Sequence, residues 1–584
     1  MEGLSGLTSG LSLRPTAADI FMAVTAVQLT SFMTAPHGQD NCSGTEFDYI
    51  IVGAGSAGSI IATRLSEDKN VNVLLVEAGG DPPLTSILPA YFALLPHTKW
   101  DWNFTSTRSP MHQCHTDLTI NMPQGKMLGG GSSFNWMCYV TGDPHDYDTW
   151  AYISGDDSWK YDNILPLIKR NEDLRDKPTV ESPNGIYHGT RGPVGVTRQY
   201  NKEIDKYLES FKELGHDIVL DTNGRNTLGF SHLLLTIADG VRQSTAHAFL
   251  KPAMDRPNLC ILTHTMATKI LFDYDKNAEG IETINLIKGD KIAYKAKREV
   301  IISAGALNSA KLMMLSGIGP KRHLEEMGIP VIADLSVGEN LQDHLPVLQG
   351  YLTDKSVIPN LPINPHEYPE PLFGGYVALN KSQSYPDYQI LGSILDPIIL
   401  LVLSELTTTY KQELIDKFFK DSIGRHIIYM HTTKLTPRSR GKVLLNSTDP
   451  LDKPILQLGF YSDEQDLADA VAYTRDVHRV SHTKYLKSMK AKLLKPTCCE
   501  DLDEETEEYW FCHCKCLSAS YYHYCGTCSM GLVVDSKLRV YNVKKLRVAD
   551  GSVMPVIPSG NTNVPIMMIG EKCADMIKAV SNEV

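Results

Sequence analysis

The chain has 584 residues, with 56 Lys and Arg against 68 Asp and Glu and a formal net charge of −12. That length exceeds what one small core organises, so it implies one very large domain or two to three ordinary ones, with room to bury a large cofactor. An acidic chain with a sequence pI near 5.9 lacks the electrostatic footprint of a nucleic-acid binder, and no run reaches the roughly 18 to 20 uncharged apolar residues of a membrane-spanning helix.

Residues 1–45 read as a leader, because regular hydrophobic patterning begins only at Asp48. Within it, Ile20 to Met33 follows Arg14 and ends near Ala35-Pro36, the outline of a signal h-region, while Asp19, Thr25 and Gln28 make it polar. A cleaved signal and an amphipathic leader helix are the two readings. Twelve cysteines and the Asn-X-Ser/Thr sequons at Asn41, Asn103, Asn380 and Asn446 suit an oxidising compartment. Secretion is the favoured address and the cytoplasm the alternative.

The apolar run Asp48 to Val52, a Gly-rich turn, a helix-compatible stretch to Glu67 and a second run Val71 to Val76 predict a βαβ unit that starts a parallel sheet. The turn is Gly53-Ala54-Gly55-Ser56-Ala57-Gly58. Its first glycine permits the tight turn, its second lets backbone approach a pyrophosphate, and its third lets helix and strand pack closely. The diphosphate would sit at the helix N-terminus. Glu77, about 20 residues on, is placed to accept hydrogen bonds from ribose hydroxyls. FAD and NAD both satisfy these features.

Two distant apolar runs, Glu299 to Ile302 and Leu546 to Ala549, flow into Gly-containing turns and are expected to join the same sheet. Between them, Asp354 to Glu500 changes texture, Pro-rich from Pro359 to Pro371 and apolar from Ile398 to Leu403, where Asp396-Pro397 would start a helix. The contrast predicts an inserted domain. The expected organisation is a leader over 1–45, one domain assembled from 46–345 and 511–584, and an inserted domain over 346–510.

Gly125-Lys126-Met127-Leu128-Gly129-Gly130-Gly131-Ser132-Ser133-Phe134-Asn135, followed by Tyr139 and Gly142, resembles the first signature of the glucose-methanol-choline (GMC) oxidoreductases. Gly305 to Gly319 is similar to the second. Val337 to His344, His523 to Cys528 and Asp550 to Asn563 match further blocks in the family's order, so the resemblance runs from Asp48 to nearly the C-terminus. It implies an α/β fold, α+β overall, in which a Rossmann-like FAD-binding domain carries an inserted substrate-binding domain.

The resemblance assigns FAD contacts to Gly53, Gly55, Ser56, Ala57 and Gly58 at the pyrophosphate and to Glu77 and Ala78 at the adenosine. It assigns Lys126, Met127, Leu128, Gly129, Gly130, Ser132, Asn135 and Trp136 to the flavin and ribityl region. Ala267 falls at the adenine end, and Asp550, Gly551, Thr562 and Val564 complete the set. Phe134 stands where some relatives carry a histidine bonded to the flavin, so non-covalent FAD is expected. Ala310 replaces the usual Pro or Ser of the second signature, a minor change at a helix start.

Removing hydride from an alcohol carbon requires removing the hydroxyl proton, and a neutral imidazole suits that task. His523 matches the family's base by its place in the His523 to Cys528 block. Asn561, in Ser559-Gly560-Asn561-Thr562-Asn563, matches its partner position and can hold an oxygen but not act as a base. Pro565 to Val580 has apolar residues at helical spacing. In the family this helix points its positive end at the flavin. The crowded Cys498, Cys499, Cys512, Cys514, Cys516, Cys525 and Cys528 lack paired CxxC spacing, so packed thiols or disulfides are expected and no metal.

The leading function is FAD-dependent oxidation of a small-molecule CH–OH group, with oxygen or a quinone as acceptor. The resemblance is strongest to the branch of insect glucose dehydrogenases and ecdysone oxidases, and the apolar middle region tilts the substrate toward an ecdysteroid over a sugar. An NAD-linked dehydrogenase and a catalytically silent flavin-binding protein are the alternatives.

Overall fold

The computed structural model describes residues 38, 42, 44–354 and 364–581. The leader segment Ile20 to Met33, the Asn41 sequon and part of the Pro-rich stretch lie outside the described residues. Strand β1 (Glu46–Val52) ends where Gly53 turns at φ +99°, and α1 (Gly58–Leu65) and β2 (Val73–Val76) follow. All four residues of β2 are buried, as a parallel strand covered on both faces requires. Then come β3 (Gly229–His232), β4 (Leu259–Leu262), β5 (Thr265–Phe272), β6 (Ala278–Asn285), β7 (Lys291–Ile302) and α2 (Gly305–Leu315).

Beyond these lie β8 (Pro346–Thr353), β9 (Leu372–Val377), β10 (Tyr388–Leu395), α3 (Pro397–Thr407) and β11 (His426–Lys434). The chain closes with β12 (Lys492–Leu493), α4 (Glu507–Leu517), β13 (Leu546–Val548) and α5 (Asn563–Ser581). α3 starts at the proline of Asp396-Pro397, as its sequence predicts, and α5 carries Pro565 in its first turn, where a missing N–H costs nothing. Among the described residues no helix is long and apolar enough to cross a membrane.

The first sheet has a parallel core in the order β4-β2-β1-β7-β13. β5 and β6 extend it as an antiparallel ladder on the N-terminal half of β7. Leu262, Val76, Val52, Ile302 and Val548 stand side by side across the five parallel strands. Five turns therefore leave the same edge of the sheet, the carboxyl edge where open α/β sheets place their ligands. The sequence runs at 299–302 and 546–549 do pair with one another, although they are separated by nearly half the chain.

The second sheet is antiparallel in the order β12-β8-β11-β10-β9-β3. Its edge strand comes from 229–232, far ahead of the 346–510 stretch. Leu348, His431 and Leu391 are directly opposed on three adjacent strands, so they share one face, and Tyr429 lies two residues along on that same face.

Six of the cysteines pair, as Cys42–Cys260, Cys114–Cys516 and Cys499–Cys512. A buried ionic clamp joins the segments around Glu172, His188 and Asp221. The His188 imidazole lies 2.7 Å from Glu172 Oε1 and 3.0 Å from Asp221 Oδ2, all three side chains being at most 2% exposed. Burial alone would lower the His188 pKa, but hydrogen bonds and charge from Asp221 and Glu172 raise it to about 10. Its stabilisation is therefore complete below the unfolded value near 6.5 and declines as pH rises toward 10. Replacing His188 with Gln strands two buried carboxylates and is expected to cost about 3–5 kcal/mol near pH 6, read as a fall in the urea unfolding midpoint. An unchanged midpoint would contradict the clamp.

Candidate active site

A cavity of about 310 Å³ runs from the turn after β1 to the face of the second sheet, a size ordinary for ligand sites. At its inner end the three glycines of the first turn do different work. A Cβ on Gly53 would lie 2.4 Å from the Ser303 carbonyl, and one on Gly58 would lie 1.9 Å from the Gly53 carbonyl. On Gly55 the nearest atom would be 4.0 Å away, so this glycine presents bare backbone to open space. Gly130 closes over it, since a Cβ there would meet the Gly55 Cα at 2.8 Å.

Glu77 is buried and its carboxylate accepts the N–H groups of Ala54 (2.9 Å) and Gly79 (2.8 Å). Burial raises its pKa, and those N–H groups oppose the shift. Ser56 Oγ donates to Asn563 Oδ1 at 2.7 Å, tying the start of α1 to the start of α5. Asp550 Oδ2 accepts from Gly305 N (2.8 Å) and Ser309 Oγ (2.6 Å), which fastens the start of α2 to the turn after β13. Three helix N-termini thus converge on the cavity, and the positive ends of their dipoles favour negative charge there.

At the outer end His523 lies between two side chains. Its Nδ1 is 2.9 Å from His344 Nδ1, and its Nε2 is 3.3 Å from Asn561 Nδ2. His344 Nε2 is in turn 3.0 Å from the Leu435 carbonyl. The carbonyl can only accept, so His344 carries its proton on Nε2 and its Nδ1 is a lone pair. His523 must then donate from Nδ1, leaving the Nε2 lone pair beside the Asn561 amide; the hydrogen-bond pattern assigns both tautomers. Both rings are neutral. Burial lowers His344 to about 4 and, together with the neighbouring His344, holds His523 well below the ordinary histidine value.

Buried carboxylates hold both segments. Asp343 Oδ1 accepts the His523 backbone N–H at 2.8 Å and Oδ2 accepts Ser520 Oγ at 2.5 Å. Burial pushes this carboxyl up to about 7, against the pull of Ser520 and His523. Asp146 accepts from Ser559 N (2.7 Å) and Ser559 Oγ (2.8 Å), gripping the turn that presents Asn561, and burial followed by repulsion from Asp143 pushes it to about 7. Gly560 in that turn has φ +119°, and a Cβ would lie 2.6 Å from Tyr376 Oη.

Of the residues singled out in the sequence, Gly53, Gly55, Ser56, Ala57, Glu77, Ala78, Gly130, Asn135, Trp136, Ala267, Asp550, Gly551, Thr562, His523 and Asn561 line this cavity. Phe134 lines it as well. Gly58, Lys126, Met127, Leu128, Gly129, Ser132 and Val564 stand behind the wall. Met127 and Leu128 are fully buried in the core, Gly129 N–H donates to the Ala54 carbonyl at 2.7 Å, and Ser132 Oγ accepts from Thr245 N at 2.9 Å. The Lys126 ammonium lies 4.7 Å from the Trp102 ring centre, and Val564 is buried in the first turn of α5. No role was legible in the sequence for His344, Asp146 or Asp343, which hold His523 and the turn that presents Asn561. The nearest signal for the first was the Val337 to His344 block, whose last residue carries an imidazole.

A five-stranded parallel core whose carboxyl edge feeds one cavity ending at a buried neutral imidazole defines a dinucleotide-type oxidoreductase. Residues 47–346 and 437–570 match the N-terminal and C-terminal domains of the GMC oxidoreductases. The chain belongs to the GMC oxidoreductase family, and it is an FAD-dependent enzyme acting on CH–OH donors. It is 38% identical to an ecdysone oxidase of Bombyx mori, over 92% of this chain and 82% of that one. It is 34% identical to a glucose dehydrogenase [FAD, quinone] of Drosophila melanogaster, over 91% and 87%. Among solved structures it resembles pyridoxine 4-oxidase from Mesorbium loti, with a TM-score of 0.78, 25% identity and coverage of 91% and 99%.

Gly560, whose positive φ and crowded surroundings only glycine tolerates, gives the first test of the outer end. Gly560→Ala is expected to retain FAD but slow anaerobic flavin reduction by about 10- to 100-fold, because the added methyl displaces Asn561. Stopped-flow absorbance would measure it, and a parental rate would refute the positioning role of this turn.

Proposed function

We propose that this enzyme oxidises a bulky, largely apolar alcohol of the ecdysteroid class to its carbonyl, with His523 as the base and Asn561 holding the substrate oxygen. The observation that carries the reading is the Leu435–His344–His523 chain, which leaves the Nε2 lone pair of a neutral imidazole beside an amide donor. A substrate hydroxyl placed between them donates its proton to His523 Nε2 while its oxygen accepts from Asn561 Nδ2. Desolvation keeps His523 unprotonated through neutral pH, so the base is ready before substrate arrives.

The inner end fits FAD. Bare backbone at Gly55 and the start of α1 suit the diphosphate, the Glu77 carboxylate retains lone pairs for ribose hydroxyls, and Gly130 and Asn135 flank the stretch leading to His523. When bound, FAD supplies the two-electron acceptor for the hydride that leaves the alcohol carbon. Phe134 offers no nucleophile, so the cofactor is non-covalent and acid precipitation would release the flavin. In this reading 46–345 and 511–584 carry FAD and 346–510 shapes the substrate end.

Leu348, Leu391, Phe92, Trp136 and Met137 line the outer part of the cavity and favour apolar surface over a sugar. The relative at 38% identity is named an ecdysone oxidase, which supports the same substrate class with oxygen as the acceptor. Thr407, Thr408 and Ser520 also line the cavity, and with the 34% relative they support a second reading, a sugar dehydrogenase that reduces a quinone.

His523→Ala is expected to retain FAD and slow anaerobic flavin reduction by roughly 100-fold or more, the scale of a lost general base. Unchanged reduction kinetics would remove His523 from this role. Anaerobic bleaching by ecdysone but not glucose, followed by rapid reoxidation in air, is the expected result for the parent. Bleaching by glucose with slow reoxidation would establish the second reading, and no bleaching by any alcohol would indicate a silent flavoprotein.

A further inference from the structure

Five sulfurs meet at the surface where α4 packs against the segment around Cys114. Two disulfides, Cys114–Cys516 and Cys499–Cys512, account for four of them. The fifth belongs to Cys498, which is exposed and free. Its Sγ lies 3.3 Å from Cys114 Sγ, 3.5 Å from Cys499 Sγ and 3.9 Å from Cys512 Sγ, in contact with both disulfides. An odd number of cysteines within contact always leaves one thiol over, so the pairing is degenerate by geometry. Nothing in alcohol oxidation uses this group.

We propose that Cys498 is a thiol–disulfide exchange site that moves the crosslink of Cys114 between Cys516 and Cys498. The Cys498 thiolate attacks Cys114 Sγ, the Cys498–Cys114 bond forms as the Cys114–Cys516 bond breaks, and Cys516 leaves as a thiolate that takes up the proton Cys498 released. One disulfide and one thiol enter and one of each leaves, so no oxidant or reductant is consumed. Cys114 is the target because its sulfur is the nearest. Cys499 is adjacent in sequence and would close a cramped ring, and Cys512 is farther away.

The exchange trades an exposed free thiol for a buried one, since Cys516 is fully buried near the end of α4. It also alters the tether on the segment that leads to His523. Just beyond Cys516, the Leu517 carbonyl accepts from Tyr410 Oη at 3.1 Å, and the Ser518 carbonyl lies 3.0 Å from Nε2 of His115, the neighbour of Cys114. The site thus links disulfide exchange at the surface to the backbone that carries His523.

The charged groups acting on Cys498 are Lys411, which favours its thiolate, and Glu413, which opposes it; burial, the larger influence, also disfavours the thiolate. Exchange should therefore quicken as pH rises. Full-length holoenzyme purified without reductant would be held at pH 6 or pH 9, quenched in acid, alkylated, digested and mapped by mass spectrometry. The expected result is a Cys114–Cys498 peptide that accumulates several-fold faster at pH 9, with alkylated Cys516 appearing in equal amount and at a rate independent of protein concentration. Cys498→Ser should abolish both signals with the flavin spectrum unchanged. In Cys516→Ser, Cys114 should be crosslinked to Cys498. The proposal is overturned if Cys114 pairs only with Cys516 at both pH values while Cys498 alkylates fully, or if Cys114 and Cys498 both alkylate in Cys516→Ser.

Discussion

The active site depends on one registration, the alignment of Leu262, Val76, Val52, Ile302 and Val548 across five parallel strands. These strands are largely apolar and buried on both faces, so close packing of their Val, Ile and Leu side chains against the layers on either side holds each strand in place. The buried apolar runs thus lock the alignment. Its consequence is that Gly53, Glu77, Ser303 and Asp550 all border one cavity, although they come from three well-separated parts of the chain. The glycines then let the backbone close in, Ser56 ties the start of α1 to that of α5, and Asp550 ties the start of α2 to the turn after β13.

The outer end is built on a different economy. Burying His523, His344, Asp343 and Asp146 is unfavourable unless each finds partners, and each does. A network in which every member is satisfied has few alternative arrangements. Here that uniqueness has a chemical result, because the Leu435 carbonyl at the far end of the hydrogen-bond chain decides which nitrogen of His523 is free. The low polarity that makes the network costly to break also keeps both imidazoles neutral.

Local features of the sequence revealed much of the first sheet. The Gly53 to Gly58 turn, Glu77 and the runs at 299–302 and 546–549 each follow from short-range periodicity and glycine spacing, and α3 and α5 from proline at a helix start. What stayed hidden was pairing at long range. His344 meets His523 across 179 residues, and Cys114 bonds Cys516 across 402. No local pattern encodes such contacts. The short strand 229–232 lacks an alternating apolar pattern and takes its place in the second sheet through β9, so its membership is visible only in tertiary structure. The anchoring role of Asp146 was hidden for the same reason, since it grips Ser559 from 413 residues away.

The proton positions in the Leu435–His344–His523 chain decide whether His523 Nε2 is free to accept a proton, and neutron diffraction from deuterium-exchanged crystals of the holoenzyme near pH 7 would locate them. Deuterium on His344 Nε2 and His523 Nδ1, with none on His523 Nε2, is the predicted pattern. Deuterium on His523 Nε2 in the absence of substrate would contradict the account, because that nitrogen could not then take the alcohol's proton.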